Sequence, residues 1–408
     1  MWGFLELGYE DIRQGELRVP DAEYTQQEVT AIRREVDALI SGHAKEDCLV
    51  ATKDFSAAVA QVCKETGVLY LSWVHDSPQR ALYMKEARYE TNRIFVFDRA
   101  QYERLTETGV ENVFHRPLAA NVTRFAQPEI TGADLSAWRA EISFVGNLYV
   151  SPGRDVFFSR LSADARQECE ELLSETVGRR GAHTTVYRSL REETKRDMFA
   201  HFDNKGLELY GGAAEFLMQT ATLAQEAACR ERVLALQTLA KRFPVRLYTT
   251  DPEDAAKRIP GVDARGAVRN DTEMPLVFRA SRINLNLTAP SIETGIPQRV
   301  FDIMSVGGFV VTDAQEEIAE LFVPDEDLVT FRSMEELEEK VSYYLAHEDC
   351  RSVIAENGFR KVSERYTVPQ AVEIMMKTVS SGKHFFMSHR AAPESTEAVQ
   401  NNSFPKTV

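Results

Sequence analysis

Short apolar runs alternate with helical stretches along most of the chain, and that alternation confines it to parallel sheets built from βαβ units. In the first 125 residues the runs are 48–52, 68–74, 93–97 and 112–115. They are rich in Val, Ile, Leu and aromatic residues, as strands covered on both faces are. Helical patterns such as 56–65 and 100–107 separate them. A second series opens at 142–145 and resumes at 245–249, 266–268, 283–287 and 309–312. The fold class expected is therefore α/β, with two Rossmann-like, doubly wound parallel-sheet domains at 1–125 and 138–365. The charged stretch 154–242 predicts stacked helices inserted into the second domain. A closing helix is expected at 366–380. The polar residues 381–408 bury too little apolar surface to offset ordering entropy, which predicts a disordered tail.

A chain of 408 residues with 43% hydrophobic and 27% charged residues can fill two cores. Its formal charge of -15 opposes general affinity for nucleic acid or anionic membrane, which require an excess of Lys and Arg. The five cysteines lie far apart, without CxxC pairs, which suits reduced thiols in a cytoplasmic protein. No stretch approaches the roughly 20 apolar residues of a membrane span. Met1-Trp2-Gly3-Phe4-Leu5-Glu6 lacks the regions of a signal peptide, so a soluble, unexported chain is expected.

In open parallel sheets ligands bind beyond the carboxyl ends of the strands, which makes three segments candidates. The first is Trp73-Val74-His75-Asp76-Ser77-Pro78, where His75 or Asp76 could serve as general base toward an acceptor hydroxyl. A helix cap at Asp76 or Ser77 beside a structural histidine is the alternative. The second is Phe144-Val145-Gly146-Asn147-Leu148-Tyr149, where Gly146 would let backbone amides approach a pyrophosphate and Arg154 opens the next helical pattern. An ordinary strand-to-helix turn explains it equally. The third runs from Asn284 and Asn286 through Gly295-Ile296-Pro297-Gln298-Arg299 and Asp302 to Gly307-Gly308. Pro297 suits the first turn of a helix and the glycine pair suits its end. Arg299 and Asp302, three apart, share a helical face and could hold a phosphate and a ribose diol; the alternative is an ion pair on a solvated face. Asp325-Glu326-Asp327 follows Pro324 in a turn pattern, and no metal site is assigned to it.

These stretches, with Tyr70-Leu71-Ser72, Ile94-Phe95-Val96-Phe97-Asp98, Arg116-Pro117-Leu118-Ala119-Ala120-Asn121 and the closing helices from Glu335 to Tyr366, resemble the CgeB-type, or spore-maturation-like, bacterial glycosyltransferases. The first half resembles the uncharacterised domain that usually precedes such transferases. The resemblance implies the GT-B architecture and a nucleoside-diphosphate sugar as donor, with no further cofactor. It places base, ribose and diphosphate on the C-terminal domain and an unidentified glycan or protein acceptor on the N-terminal one. Carried over by position, the donor side comprises Gly146, Asn147, Asn286, Gly295, Arg299 and Asp302. Asp302 takes the ribose role of a glutamate, and Arg299 faces the leaving diphosphate. A further family glutamate falls at Thr294, with Glu293 adjacent but out of register. Such chains also carry a strand before the helix that matches Phe4-Leu5-Glu6-Leu7-Gly8-Tyr9, so two unpaired strand edges are expected in the first sheet; either the true start lies upstream of Met1 or the domain is compromised. A nucleotide-sugar epimerase on the same fold and a catalytically silent nucleotide-sugar-binding subunit are the rival functions.

Overall fold

The computed structural model describes residues 2–9, 11–15, 23–178, 190–202, 209–210 and 212–381. The expected tail, apart from Ser381, lies outside the described residues. The first sheet contains β1 (Leu49–Lys53), β2 (Leu69–Val74), β3 (Asn92–Val96) and β4 (Val113–His115), parallel and side by side in chain order. Central β3 is buried along its length, whereas edge strand β1 is only half covered. On one face Tyr70, Val74, Ile94 and Val96 pack against the helices Gln26–Ile40 and Ala57–Thr66. Ser56 caps the second of these, and Gly67 ends it at a φ of 78°.

On the other face Leu69, Leu71 and Phe95 take Ala371, Val372 and Met375 of the last helix, Val368–Ser381, with Phe4 and Leu7 alongside. The final helix thus returns to close the first domain. Among the described residues the unpaired edges expected inside this sheet are not found. Each crossover moves one place along, so no central position is left empty between β1 and β4.

The second sheet holds β5 (Ala140–Val145), β6 (Val245–Tyr248), β7 (Asp263–Arg265), β8 (Ser281–Asn286), β9 (Val310–Asp313) and β10 (Val329–Phe331). Its parallel order is β10-β9-β8-β5-β6-β7, so the winding reverses between β5 and β8. The strand expected at 266–268 lies instead at Asp263–Arg265, because an edge strand can carry Asp and Arg and need not read as an apolar run. β10, only three residues long, escaped the sequence reading altogether.

Between β5 and β6 stand the helices Pro152–Arg160, Ala163–Thr176 and Glu192–His201, then Ala213–Gln219, Thr220–Ala224 and Gln225–Ala240, which run on without a break. They share a core of their own around Cys169, Leu172, Met198 and Leu223. The chain passes between the domains twice, and the two passages bond to each other. Ala120 N–H donates to Tyr366 O at 2.7 Å and Val368 N–H to Ala120 O at 3.2 Å.

Candidate functional site

The carboxyl ends of the two sheets face each other, and Asp98, just past β3, clasps the loop that follows β8. Asp98 is fully buried. Its carboxylate accepts from Glu293 N at 3.0 Å, Thr294 N at 3.1 Å, Thr294 Oγ1 at 2.8 Å, Gly295 N at 3.3 Å and Ser77 Oγ at 2.7 Å. A Cβ on residue 295 would stand 2.8 Å from Asp98 Cα, so only glycine permits this approach. Gly295 therefore serves the domain contact, with its N–H turned to Asp98, where the sequence reading had assigned it to the donor.

Glu317, also buried, accepts from Arg99 N and His115 Nε2, each at 2.9 Å, and shares the Thr294 hydroxyl with Asp98, its Oε1 2.9 Å from Thr294 Oγ1. Arg104 pairs with Glu293 at 2.7 Å. Burial disfavours the charged His115 ring, but the hydrogen bond and charge of Glu317 outweigh it and raise its pKa above 6.5. A raised histidine contributes stability that is complete below the ordinary value and lost as pH climbs through the raised one. The stability advantage of the wild type over His115→Gln is thus expected to shrink as pH rises above about 6.5 in urea titrations. An advantage that stays flat or grows with pH contradicts the assignment.

The N-terminal wall of the cleft is formed by the ends of β1 and β2. Asp54 sits in the left-handed region at φ 62°, and its Oδ1 accepts His75 N–H at 2.7 Å. Burial raises the Asp54 pKa. Burial of the His75 ring, aided by the nearby Lys53 ammonium, lowers its pKa to about 3. The imidazole is therefore neutral at pH 7 and a weak base, which reduces its fitness for the general-base role. Asp76, beside it, is exposed at the cleft.

Opposite stands the helix Gln298–Met304, entered from Pro297 in extended conformation and followed by Gly307 at φ 71°. Asp302 is 6% exposed, so its pairing with Arg299 at 3.6 Å is not an ion pair on a solvated face. Gln298 Nε2 donates to Asp302 Oδ1 at 2.9 Å, and Asn121, from the interdomain passage, also hydrogen-bonds it. Burial raises the Asp302 pKa against the pull of Arg299 and Lys53, while burial lowers that of Arg299. The Arg299 guanidinium lies against Met274 Sδ and the Phe278 ring.

At the winding reversal, Gly146 N–H still bonds Tyr248 O at 3.0 Å, and exposed Asn147 accepts from Thr250 Oγ1 at 2.9 Å. Asn286 is buried, its amide committed to Thr288 Oγ1 at 3.1 Å and Thr312 Oγ1 at 2.9 Å. Its Nδ2 thus stabilises the sheet end.

Sequence reasoning missed Lys53, Asp98, Glu317 and Arg232. Arg232 donates to the carbonyl of Asn147 and, at 2.7 Å, to that of Leu287, so it ties the ends of β5 and β8 together. Asp98 reads in sequence only as the cap of the helix Arg99–Glu107, a role it also fills. Among the described residues no group of three or more His, Cys, Asp or Glu side chains converges as metal ligands do. In the Asp325-Glu326-Asp327 turn, Asp325 pairs with Lys340 and Asp327 with Lys361. No helix among the described residues is long and apolar enough to cross a membrane.

Residues 230–377, which carry β6 to β10 and the Gln298–Met304 helix, match the family model described as glycosyl transferase-like. Among solved structures, the Anabaena protein Alr3699/HepE in complex with UDP-glucose is similar at a TM-score of 0.51 and 11% identity, over 87% of this chain and 82% of that one. The same protein in complex with UDP gives 0.50 and 12%, over 87% and 82%. Sucrose-phosphate synthase from Thermosynechococcus elongatus gives 0.50 and 10%, over 92% and 87%. No curated protein matches the chain. These likenesses establish the fold as GT-B, two Rossmann-like domains facing across a cleft.

Proposed function

We propose that this chain is a metal-independent glycosyltransferase of CgeB type that moves a sugar from a nucleoside-diphosphate donor to a glycan or protein acceptor in the cytoplasm. The observation that carries the reading is the buried Asp302 paired with half-buried Arg299, set on the helix that opens onto the cleft and lying inside the glycosyl transferase-like match. The UDP and UDP-glucose complexes of HepE support a nucleotide-sugar donor. In this reading Asp302 accepts hydrogen bonds from the ribose diol. Arg299 meets the charge that gathers on the leaving diphosphate, where a fixed cation in a closed cleft acts most strongly. Gly146 and Asn147 form the turn beside the diphosphate. Asp76 takes the acceptor's proton, with neutral His75 orienting the hydroxyl.

Calorimetry tests the assignment of Asp302. Asp302→Ala is expected to weaken UDP by about 1.5 to 3 kcal/mol, the value of charge-assisted hydrogen bonds, while leaving inorganic pyrophosphate unaffected. Unchanged UDP affinity removes the ribose role. Analysis of products from UDP-glucose then distinguishes transfer from epimerisation, and turnover retained in EDTA tests metal independence.

A further inference from the structure

The continuous helix from Ala213 to Ala240 belongs to both domains. At its start Ala213 and Leu217 lie in the hydrophobic core of the N-terminal domain. There the Phe216 ring packs on Tyr83 at 5.7 Å, and the Arg104 guanidinium lies 3.8 Å over it. Just upstream, Tyr210 N–H donates to Tyr83 O at 2.9 Å, and Arg88 lies 3.9 Å over the Tyr210 ring. At its end Ala235, Leu236 and Leu239 lie in the core of the C-terminal domain. A helix of this length spans roughly 40 Å, so one rigid element ties the domains independently of the two chain passages. A single π-helical turn at Thr220–Ala224 lies within it, and the helix continues on both sides of that turn.

Arg232 projects from this helix into the winding reversal. It is 9% exposed. Besides the carbonyls of Asn147 and Leu287, it lies 4.4 Å under the Tyr149 ring and 5.4 Å from that of Phe144. Tyr149 is held at φ 58°, and its carbonyl accepts from Arg154 Nη2 at 2.6 Å. Arg154 is itself buried and paired with Glu226, another residue of the same helix, at 2.8 Å. The crevice wall from Gly146 to Tyr149 is thus shaped by two arginines fixed to one helix. Planar guanidinium suits this work, because it can serve two carbonyls and an aromatic face at once.

We infer that Arg232 is a positioning residue for the donor crevice, and that its place is set from the N-terminal domain through the helix that carries it. The inference rests on the glycosyltransferase reading for its ligand but not for its geometry. Phe216 and Arg232 are about 24 Å apart along the helix.

The test combines calorimetry with UDP and amide hydrogen exchange at residues 147–150. Arg232→Met is expected to weaken UDP tenfold or more and to speed exchange there. Arg232→Lys, which can serve only one carbonyl, is expected to recover part of both. Phe216→Ala is expected to weaken UDP about threefold in the wild-type background and to add nothing to Arg232→Met. Additive effects, or wild-type UDP affinity in Arg232→Met, overturn the inference. If Arg232→Met does not fold, Arg232→Lys against Phe216→Ala carries the same comparison. If the wild type binds no UDP, the glycosyltransferase reading falls and exchange alone decides the inference. Faster exchange at 147–150 in Phe216→Ala then upholds it, and unchanged exchange overturns it.

Discussion

Asp98→Ala is expected to destabilise the protein by about 3 to 5 kcal/mol, the cost of removing one side of a buried, hydrogen-bonded charged network. The substitution strands the N–H groups of Glu293, Thr294 and Gly295, which lie at the domain contact and turn to Asp98. It also deprives Ser77 Oγ of its acceptor and leaves Thr294 Oγ1 with Glu317 alone. Because the clasp joins the domains, the urea transition is expected to divide into two, each domain unfolding by itself. Asp98→Asn keeps the shape and one acceptor oxygen and should lose about half as much. A loss below about 1 kcal/mol with a single transition would mean that the apolar contact of Phe97, Leu118, Ile296 and Phe301 holds the domains without the clasp. Gly295→Ala tests the same contact from the other side. Its Cβ meets Asp98 Cα at 2.8 Å and the Phe97 ring at 2.9 Å, so backbone must yield.

Arg299→Ala is expected to lower the rate of sugar transfer about 100- to 1,000-fold, the loss found when a preorganised group that meets developing charge is removed. The guanidinium is already partly desolvated beside Met274 and Phe278 and oriented by Asp302 at 3.6 Å, so less reorganisation is required when charge develops. Although burial lowers its pKa, arginine stays protonated at any pH at which the protein is folded. Arg299→Lys keeps the charge but loses the planar fork, and should fall between wild type and alanine. Turnover of UDP-glucose within threefold of wild type in Arg299→Ala would remove this residue from the chemistry. Pyrophosphate affinity measured alongside distinguishes loss of binding from loss of rate.

Several features of the site were legible in the chain itself. Pro297 before and Gly307-Gly308 after a short apolar helix bound the Gln298–Met304 element almost to the residue, because proline tolerates only the first turn and Gly307 takes a positive φ. The three-residue spacing of Arg299 and Asp302 likewise placed them together on that helix. The burial of Asp302 and the packing of Arg299 were not legible, since they come from Asn121 in the interdomain passage and Phe278 in another helix. The contacts of Asn286 and Gly295 were not legible for a related reason. Asn286 ends β8 and Gly295 lies in the loop beyond it, where ligands bind in this architecture, but their partners, Thr312 and Asp98, are supplied by segments remote in sequence.

The sequence by itself determined the two parallel sheets, because runs of Val, Ile, Leu and aromatics at strand length, separated by helical periods, have few other ways to bury their apolar faces. It also determined where most helices begin and end, since caps such as Ser56, Asp98 and Ser333 act within one turn. Only the tertiary structure decided which carboxylate faces which loop across the cleft. Asp98 and Gly295 lie 197 residues apart, and Arg232 meets Asn147 across 85, distances over which no local pattern specifies a partner. Long-range pairs of this kind are selected by the packing of complete domains. The last helix covers the first sheet, and the Ala213–Ala240 helix is set into both cores, through contacts between segments far apart in sequence.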